Sequence, residues 1–416
     1  MGSFHHPPLP RGNPPEGPPG RVVLAALLAI PLAIPLPAAG ADSGKGPLAS
    51  SIVVDWQRTA IRTVYVERGS ALPLGALYLA FTSLAVHDAA LEAHKRGTHA
   101  AAAAVAVAAH DVLKEYFPLS GAALDADLVA SLAMVPDGKK QDAGVGIGAA
   151  AADEMIASRV DDGRNDASVV YSRPPAPGVW QPAPGGAIAL PWLGFVKRVV
   201  DVSPVALDGP DPITSAAYAQ DYNEVRELGS IGSATRTAQQ TAVAQFFSGN
   251  PVLTYHGALC DLLDERPLGL VPTTRLFARI DAATATSFIQ TWRLKYDVGF
   301  WRPFQAIALA DTDGNLATTP QAGWAPLIAN PAYSEYTSGH AAATSPFAEE
   351  LRQTLGDDTP LVLKAGGLQR SYATLTALEH DAFHARIWGG LHFRDAMDDG
   401  YYLGHTTGRR VMRAIR

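Results

Sequence analysis

Apolar residues between Val53 and Phe117 return at helical spacing, with Leu77, Phe81, Leu84 and Leu91 on one stripe of a 3.6-residue period. The stretch HAAAAAVAVAAHDVLKEYF at residues 99–117 has the composition of a buried helix. His87, Asp88, His110 and Asp111 lie in or beside these apolar faces and read as satisfied core polar groups. A third helix is expected over KKQDAGVGIGAAAADEMIASRV, residues 139–160, where small side chains permit close packing. Helical signals resume in TSAAYAQDYNEVRELG and ATRTAQQTAVAQFFSG, from Ala282 to Trp301, and in SPFAEELRQTLG. Strand-like alternation is scarce, and PLVLKAGG at residues 360–367 is the best candidate. The fold class expected is mainly α, a helical bundle or a pair of them with little β.

Between these patterns, SRPPAPGVWQPAPGGAIALPW at residues 172–192 carries six prolines, which makes it an extended connector. It can be a domain boundary or a long loop within one domain, and the loop is favoured since neither side of it holds a complete set of chemistry. At the start of the chain, Arg21 precedes VVLAALLAIPLAIPLPAAGA, an apolar run ending in small residues. Residues 1–41 are therefore read as a leader and signal peptide, with cleavage near Ala39 or Ala41 and export as the expectation. A membrane anchor is the alternative, although Pro31, Pro35 and Pro37 interrupt the run. Residues 42–416 are expected to form one large helical domain, with an active-site core at 282–416.

Composition narrows the function. With 47% hydrophobic and 18% charged residues the chain is globular, and with a net charge of −7 and no Lys/Arg run interleaved with aromatics nothing points to a nucleic-acid surface or an anionic membrane partner. Cys260 is the single cysteine, so no internal disulfide supports the fold.

Three segments carry candidate chemistry. In KYDVGFWRP, Lys295 and Arg302 are seven residues apart, which on a continuous helix ended by Pro303 returns them to nearly one face. Such a pair can be a solvated face. Alternatively, the aromatic residues Tyr296, Phe300, Trp301 and Phe304 partly bury it, and the cations then need a counter-anion. In EYTSGHAAA, Thr337, Ser338, Gly339 and His340 stand before an alanine-rich helix start. They can be a simple N-cap and turn, or a hydroxyl, a backbone N–H and an imidazole converging on an oxyanion. In ARIWGGLHF, Gly389 and Gly390 break a helix so that Arg386 and His392 can turn to one point. Taken together, three cations, two donors and two imidazoles suit a tetrahedral oxyanion.

The order Lys, six residues, Arg-Pro, then Ser-Gly-His, then Arg, five residues, His resembles the signature shared by vanadium-dependent haloperoxidases and the type 2 phosphatidic acid phosphatase superfamily. The segments EVRELGSIGSATRTAQQTAVAQFF, FWRP and ARIWGGLHFR look like the bacterial vanadium haloperoxidases, with a resemblance running from about Val53 to the C-terminus. The resemblance implies a vanadate cofactor, with His392 as axial vanadium ligand. Lys295, Arg302 and Arg386 would neutralise its oxygens, aided by the Ser338 hydroxyl and the Gly339 N–H. His340 would bond the apical oxygen and handle protons, and Lys295 would polarise bound peroxide for attack by halide. It further implies hydrogen peroxide, a halide and a small organic acceptor as partners, with no nucleic acid. Tyr333 and Trp301 would lie in the substrate pocket.

This chain departs from the family pattern at several points. Ala385 stands where a serine often precedes the third-segment arginine. Ala396 stands where a carboxylate commonly follows the axial histidine, with Asp395 one residue earlier, which leaves the orienting partner of His392 open. Thr337 replaces the proline usual in the phosphatases, and Pro346 implies a kink or a restart of the helix with Ser345 as its cap. An exported acid phosphatase acting through a phosphohistidine at His392 is the rival on the same scaffold, and an oxyanion-binding protein without turnover is a third reading. HDAFH imitates a zinc-hydrolase helix through His380, His384 and Asp381, but reads better as a helix face leading into Arg386. Bromide and iodide are expected to be oxidised more readily than chloride.

Overall fold

The computed structural model describes residues 48–416, and the leader and signal peptide read at residues 1–41 lie outside the described residues. Helices follow the apolar periodicity in the N-terminal part. α1 (Leu48–Ile61) runs into a π-helical turn, and α2 (Leu72–His94), α3 (Thr98–Tyr116), α4 (Gly121–Ala133) and α5 (Lys139–Ser158) follow. α2 packs against α3, α5 and α9 (Leu270–Val298). It is long and apolar enough to cross a membrane, yet most of it is buried inside the protein, which makes it a core helix. The closeness of α3 and α5 has a local cause, because a Cβ at Gly144 or Gly148 would overlap the carbonyls of Ala100 and Ala104.

The remaining helices are α6 (Ala216–Leu228), α7 (Ala238–Phe246), α8 (Pro251–Glu265), α10 (Pro303–Ala308), α11 (Gly339–Leu355), α12 (Leu375–Trp388) and α13 (Arg394–Ala414). Polar side chains set several of their starts: Thr237 forms a capping box with Gln240 at α7, while Asn250 caps α8 and Thr374 caps α12. The mainly α class is borne out. The strand foreseen in PLVLKAGG is β1 (Leu361–Ala365), paired antiparallel with β2 (Leu368–Tyr372) across Gly366 and Gly367, both at positive φ.

α9 is the spine of the fold. At 29 residues it is about 43 Å long, and it packs on α1 and α2 at one side and on α11 and α13 at the other. Midway along it, buried Asp281 binds His256 of α8, Ser83 of α2 and Gln57 of α1. The proline-rich stretch lies on the last turns of α9: the Ala189 carbonyl accepts from Trp292 Nε1 and the Tyr296 hydroxyl, and Trp180 N–H donates to the Gly299 carbonyl.

Two expectations fail here for backbone reasons. The helix carrying Lys295 ends at Val298, not at Pro303, because Gly299 adopts a left-handed conformation with φ 65°. Arg302 is instead the residue before α10, and Pro303 starts that helix, so Lys295 and Arg302 do not share a helical face. Nor does Pro346 restart a helix. α11 is continuous from Gly339, and Ser345 is no cap, since its hydroxyl donates back to the Ala341 carbonyl at 2.7 Å.

A charged junction ties α11, α12 and α13. His405 Nδ1 meets Glu349 at 2.9 Å and its Nε2 meets Glu379 at 3.0 Å. Burial opposes charge on the ring, but the two carboxylates outweigh it and raise its pKa above the ordinary 6.5. Burial likewise pushes Glu349 up, and His405 and Arg409 hold it down at about 2. The His405 contribution is thus complete below pH 6.5 and lost as pH rises through its raised value; that of Glu349 is complete above 4.5 and lost as pH falls towards about 2. His405→Gln is expected to destabilise by roughly 1.5–3 kcal/mol at pH 5.5. The gap to wild type should narrow by pH 9, as read from denaturant midpoints at the two pH values.

Candidate active site

Three loops meet at the C-terminal end of α9. Lys295, in its last turn, is fully buried, and its Nζ donates to the carbonyls of Ser334 and Glu335, each at 3.1 Å, and of Thr337. Arg302 is also fully buried and donates to the carbonyls of Tyr333, Ser334 and Leu391, at 3.0, 3.2 and 2.9 Å. Its Nη1 lies 3.3 Å from His392 Nε2. Arg386, in the last turn of α12, donates through Nη1 to the Phe247 carbonyl at 3.1 Å, while its buried Nε has no hydrogen-bond partner.

The geometry gathers the residues of the three sequence segments into one cluster. None of the three cations forms an ion pair with a carboxylate among the described residues; they donate to backbone carbonyls, and Arg302 also faces His392 Nε2. Burial, compounded by neighbouring Arg302, pushes Lys295 well below its ordinary pKa, and burial lowers Arg386 to about 10. His392 is pushed well down by burial and then by Arg302, Lys295 and Arg386. His340 is pushed well down by burial and then by Arg386. An anion among the cations would oppose these shifts by offsetting the mutual repulsion of the charges, so the cluster suits one.

Local structure explains the placement. Gly390 at φ 75° turns the chain after α12 and brings His392 back beside Arg302, and a Cβ there would collide with the Gly229 carbonyl. Ser338 caps α11, accepting from Ala341 N–H at 3.4 Å, and its O–H remains available as a donor. Gly339 is the first residue of α11, so its N–H is one of the amides left free at a helix start. His340 Nε2 lies 3.1 Å from the Gly249 carbonyl.

The two aromatic residues read as pocket residues part company. Tyr333 is half-buried, with its ring 4.9 Å from Lys295 Nζ, 5.0 Å from the Arg302 guanidinium and 5.0 Å from the Trp292 ring. Trp301 is fully buried in an aromatic cluster with Tyr218, Phe300 and Phe393. It therefore backs the site and does not line an opening. The His380 and His384 rings lie 4.3 Å apart and tilted at 40°, while Asp381 accepts from the Tyr372 hydroxyl, so the zinc-like motif is a helix face.

Glu335 was missed by the motif reading. It is fully buried, its Oε1 lies 2.9 Å from His392 Nδ1, and it also accepts from Phe393 N–H at 3.0 Å. Burial raises its pKa to about 8. The signal was a lone acid in an otherwise small and aromatic stretch, three residues before Ser338. Neither residue expected near His392 from downstream orients the ring: Asp395 accepts from Asp211 N–H, and the Ala396 carbonyl accepts from Ser338 N–H.

Residues 275–416 match the model of the VCPO second helical-bundle domain. Among solved structures, a bacterial vanadium-dependent iodoperoxidase superposes with a TM-score of 0.70 at 19% identity, over 88% of this chain and 97% of that one. The chain has the vanadium haloperoxidase fold. An apo-type bacterial vanadium-dependent chloroperoxidase superposes at 0.67 and 18% identity, over 83% of this chain and 93% of that one. For a holo-type bacterial chloroperoxidase the values are 0.63, 18%, 90% and 95%. No curated protein matches the sequence. The haloperoxidase resemblance read from the three segments is borne out by the matching domain, which begins within α9 and contains all of them.

Proposed function

We propose that the protein is a vanadium-dependent haloperoxidase that oxidises halide with hydrogen peroxide and passes an oxidised halogen to a small organic acceptor. The observation that carries this is the set of three buried cations that have no carboxylate partner among the described residues and donate to backbone carbonyls, beside an imidazole whose Nε2 faces Arg302 Nη1. That donor set fits vanadate. Arg386 Nε is an orphaned buried donor, and the cations, the Ser338 hydroxyl and the Gly339 N–H match its oxygens. When bound, vanadate supplies a Lewis acid that activates peroxide without changing its own oxidation state.

The chain's own residues divide the remaining work. His392 Nδ1 faces Glu335, so Nε2 carries the lone pair and would hold the metal. Lys295, Arg302 and Arg386 compensate the anion's charge inside a buried site, where such interactions are strongest. His340 is held neutral by burial and by Arg386, and its Nε2 faces a carbonyl. Nδ1 is thus the atom that can take a proton from peroxide and return it to the leaving oxygen. Tyr333 screens Lys295 and Arg302 with its ring face.

The phosphohistidine reading is not favoured, since an iodoperoxidase and two chloroperoxidase structures share this fold over most of both chains. Export remains part of the proposal and rests on residues 21–41.

The test is bromination of a phenolic dye by purified protein with peroxide and bromide, with and without orthovanadate. Turnover is expected only with vanadate, with iodide and bromide oxidised at least about tenfold faster than chloride. Chloride turnover equal to bromide would show that the pocket, and not the ease of halide oxidation, sets the order. Hydrolysis of phosphate esters with no bromination would overturn the reading.

A further inference from the structure

The ring of His392 is held by a residue that lies ahead of it in the chain. Glu335 sits in the loop before α11, three residues from Ser338, and Oε1 receives both His392 Nδ1–H and Phe393 N–H. The backbone of the same residue is engaged on both sides: its carbonyl accepts from Lys295 Nζ at 3.1 Å and its N–H donates to the Phe300 carbonyl at 3.0 Å. One residue therefore joins the end of α9, the segment leading to Arg302 and the turn that carries His392.

We propose that Glu335 is a positioning residue that fixes the His392 ring with the proton on Nδ1 and the lone pair on Nε2, and that it sets the His392 and Lys295 positions together. It does from upstream what Ala396 cannot do from downstream. Asp395 is no substitute, because its carboxylate accepts from Asp211 N–H and its own N–H is spent on Asp221. Phe393 N–H adds a restraint that a contact to the ring alone lacks, since it fixes the backbone next to His392 as well as the imidazole plane. The Glu335 side chain is fully buried, so a residue without an acceptor at Oε1 leaves His392 Nδ1–H and Phe393 N–H without their protein partner.

This inference deepens the proposed function and rests on it only where vanadate is concerned. Glu335→Gln keeps an acceptor oxygen at the position of Oε1; Glu335→Met keeps the volume and removes the acceptor. In protein with 15N-labelled histidine and no vanadate, the nitrogen shifts of His392 are expected to show the Nδ1–H tautomer in wild type and Gln. In Met they should show a mixture. Orthovanadate affinity by equilibrium dialysis should stay within about threefold for Gln and fall about 10–100-fold for Met, the usual cost of losing the partner that orients a ligand histidine.

A folded Met variant that keeps both the tautomer and the affinity overturns the inference. Should that variant not fold, Glu335→Asp, one methylene too short to reach, carries the same expectation and is judged by the same two readouts. If the tautomer follows this pattern while wild type binds no vanadate, the inference stands and the haloperoxidase reading fails.

Discussion

His392→Ala is expected to lower kcat/KM for vanadate-dependent bromide oxidation by at least about a thousandfold, or about 4 kcal/mol, while circular dichroism stays that of a folded helical protein. The size follows from what the ring does alone. Lys295, Arg302 and Arg386 attract any tetrahedral oxyanion, but none of them can donate a lone pair to a metal. The variant should therefore still bind orthovanadate or phosphate through its cations, more weakly, and turn over neither peroxide nor halide. Binding without turnover separates a metal-ligand role of His392 from simple charge compensation. A folded variant that retains more than about a tenth of wild-type turnover would remove His392 from the proposed mechanism, whatever the fate of the anion.

That variant also probes how much of the site was legible in the sequence. The three motifs were readable because each is short: Ser338 and Gly339 at the start of α11, and Arg386 ahead of the Gly389–Gly390 break, are local patterns that fix local backbone. Reading Lys295 and Arg302 as one helical face went wrong through a single residue, Gly299, whose positive φ ends the helix four residues after Lys295. The pair meets anyway, because both side chains converge on the carbonyls of the 333–337 loop, which no spacing rule describes. Pro346 misled in the opposite sense. A proline inside a helix loses one N–H, here the bond to the Ala342 carbonyl, yet the helix runs on from Gly339 to Leu355, and the Thr344 and Ser345 hydroxyls donate back to the His340 and Ala341 carbonyls in the turn before it. Glu335 could not be assigned from sequence, since its partners lie 57 and 58 residues away. The second strand, Leu368–Tyr372, has no clean alternation; its pairing with Leu361–Ala365 is imposed by the Gly366–Gly367 turn.

The second large effect lies far from any motif. Asp281→Ala is expected to destabilise the protein by about 3–5 kcal/mol, because it leaves the buried His256 charge unpaired and strips an acceptor from Gln57 and Ser83. Both nitrogens of His256 face acceptors, Asp281 at 2.6 Å and the Val252 carbonyl at 2.8 Å, an arrangement that favours the imidazolium. Burial opposes that charge, yet Asp281 raises the ring's pKa above its ordinary value. The sign of the pH effect follows: the pair contributes fully below pH 6.5 and is lost as pH rises through the raised value, so the gap between wild type and variant should close on the alkaline side. Adding His256→Leu to Asp281→Ala should recover part of the loss, since an apolar pair leaves no buried charge. A double variant less stable than Asp281→Ala alone would show that the network acts through packing. Because Asp281 and Lys295 share α9, a mechanical link would appear as altered turnover in the folded variant; the expectation is that kcat below the unfolding range is unchanged and that only the melting temperature moves.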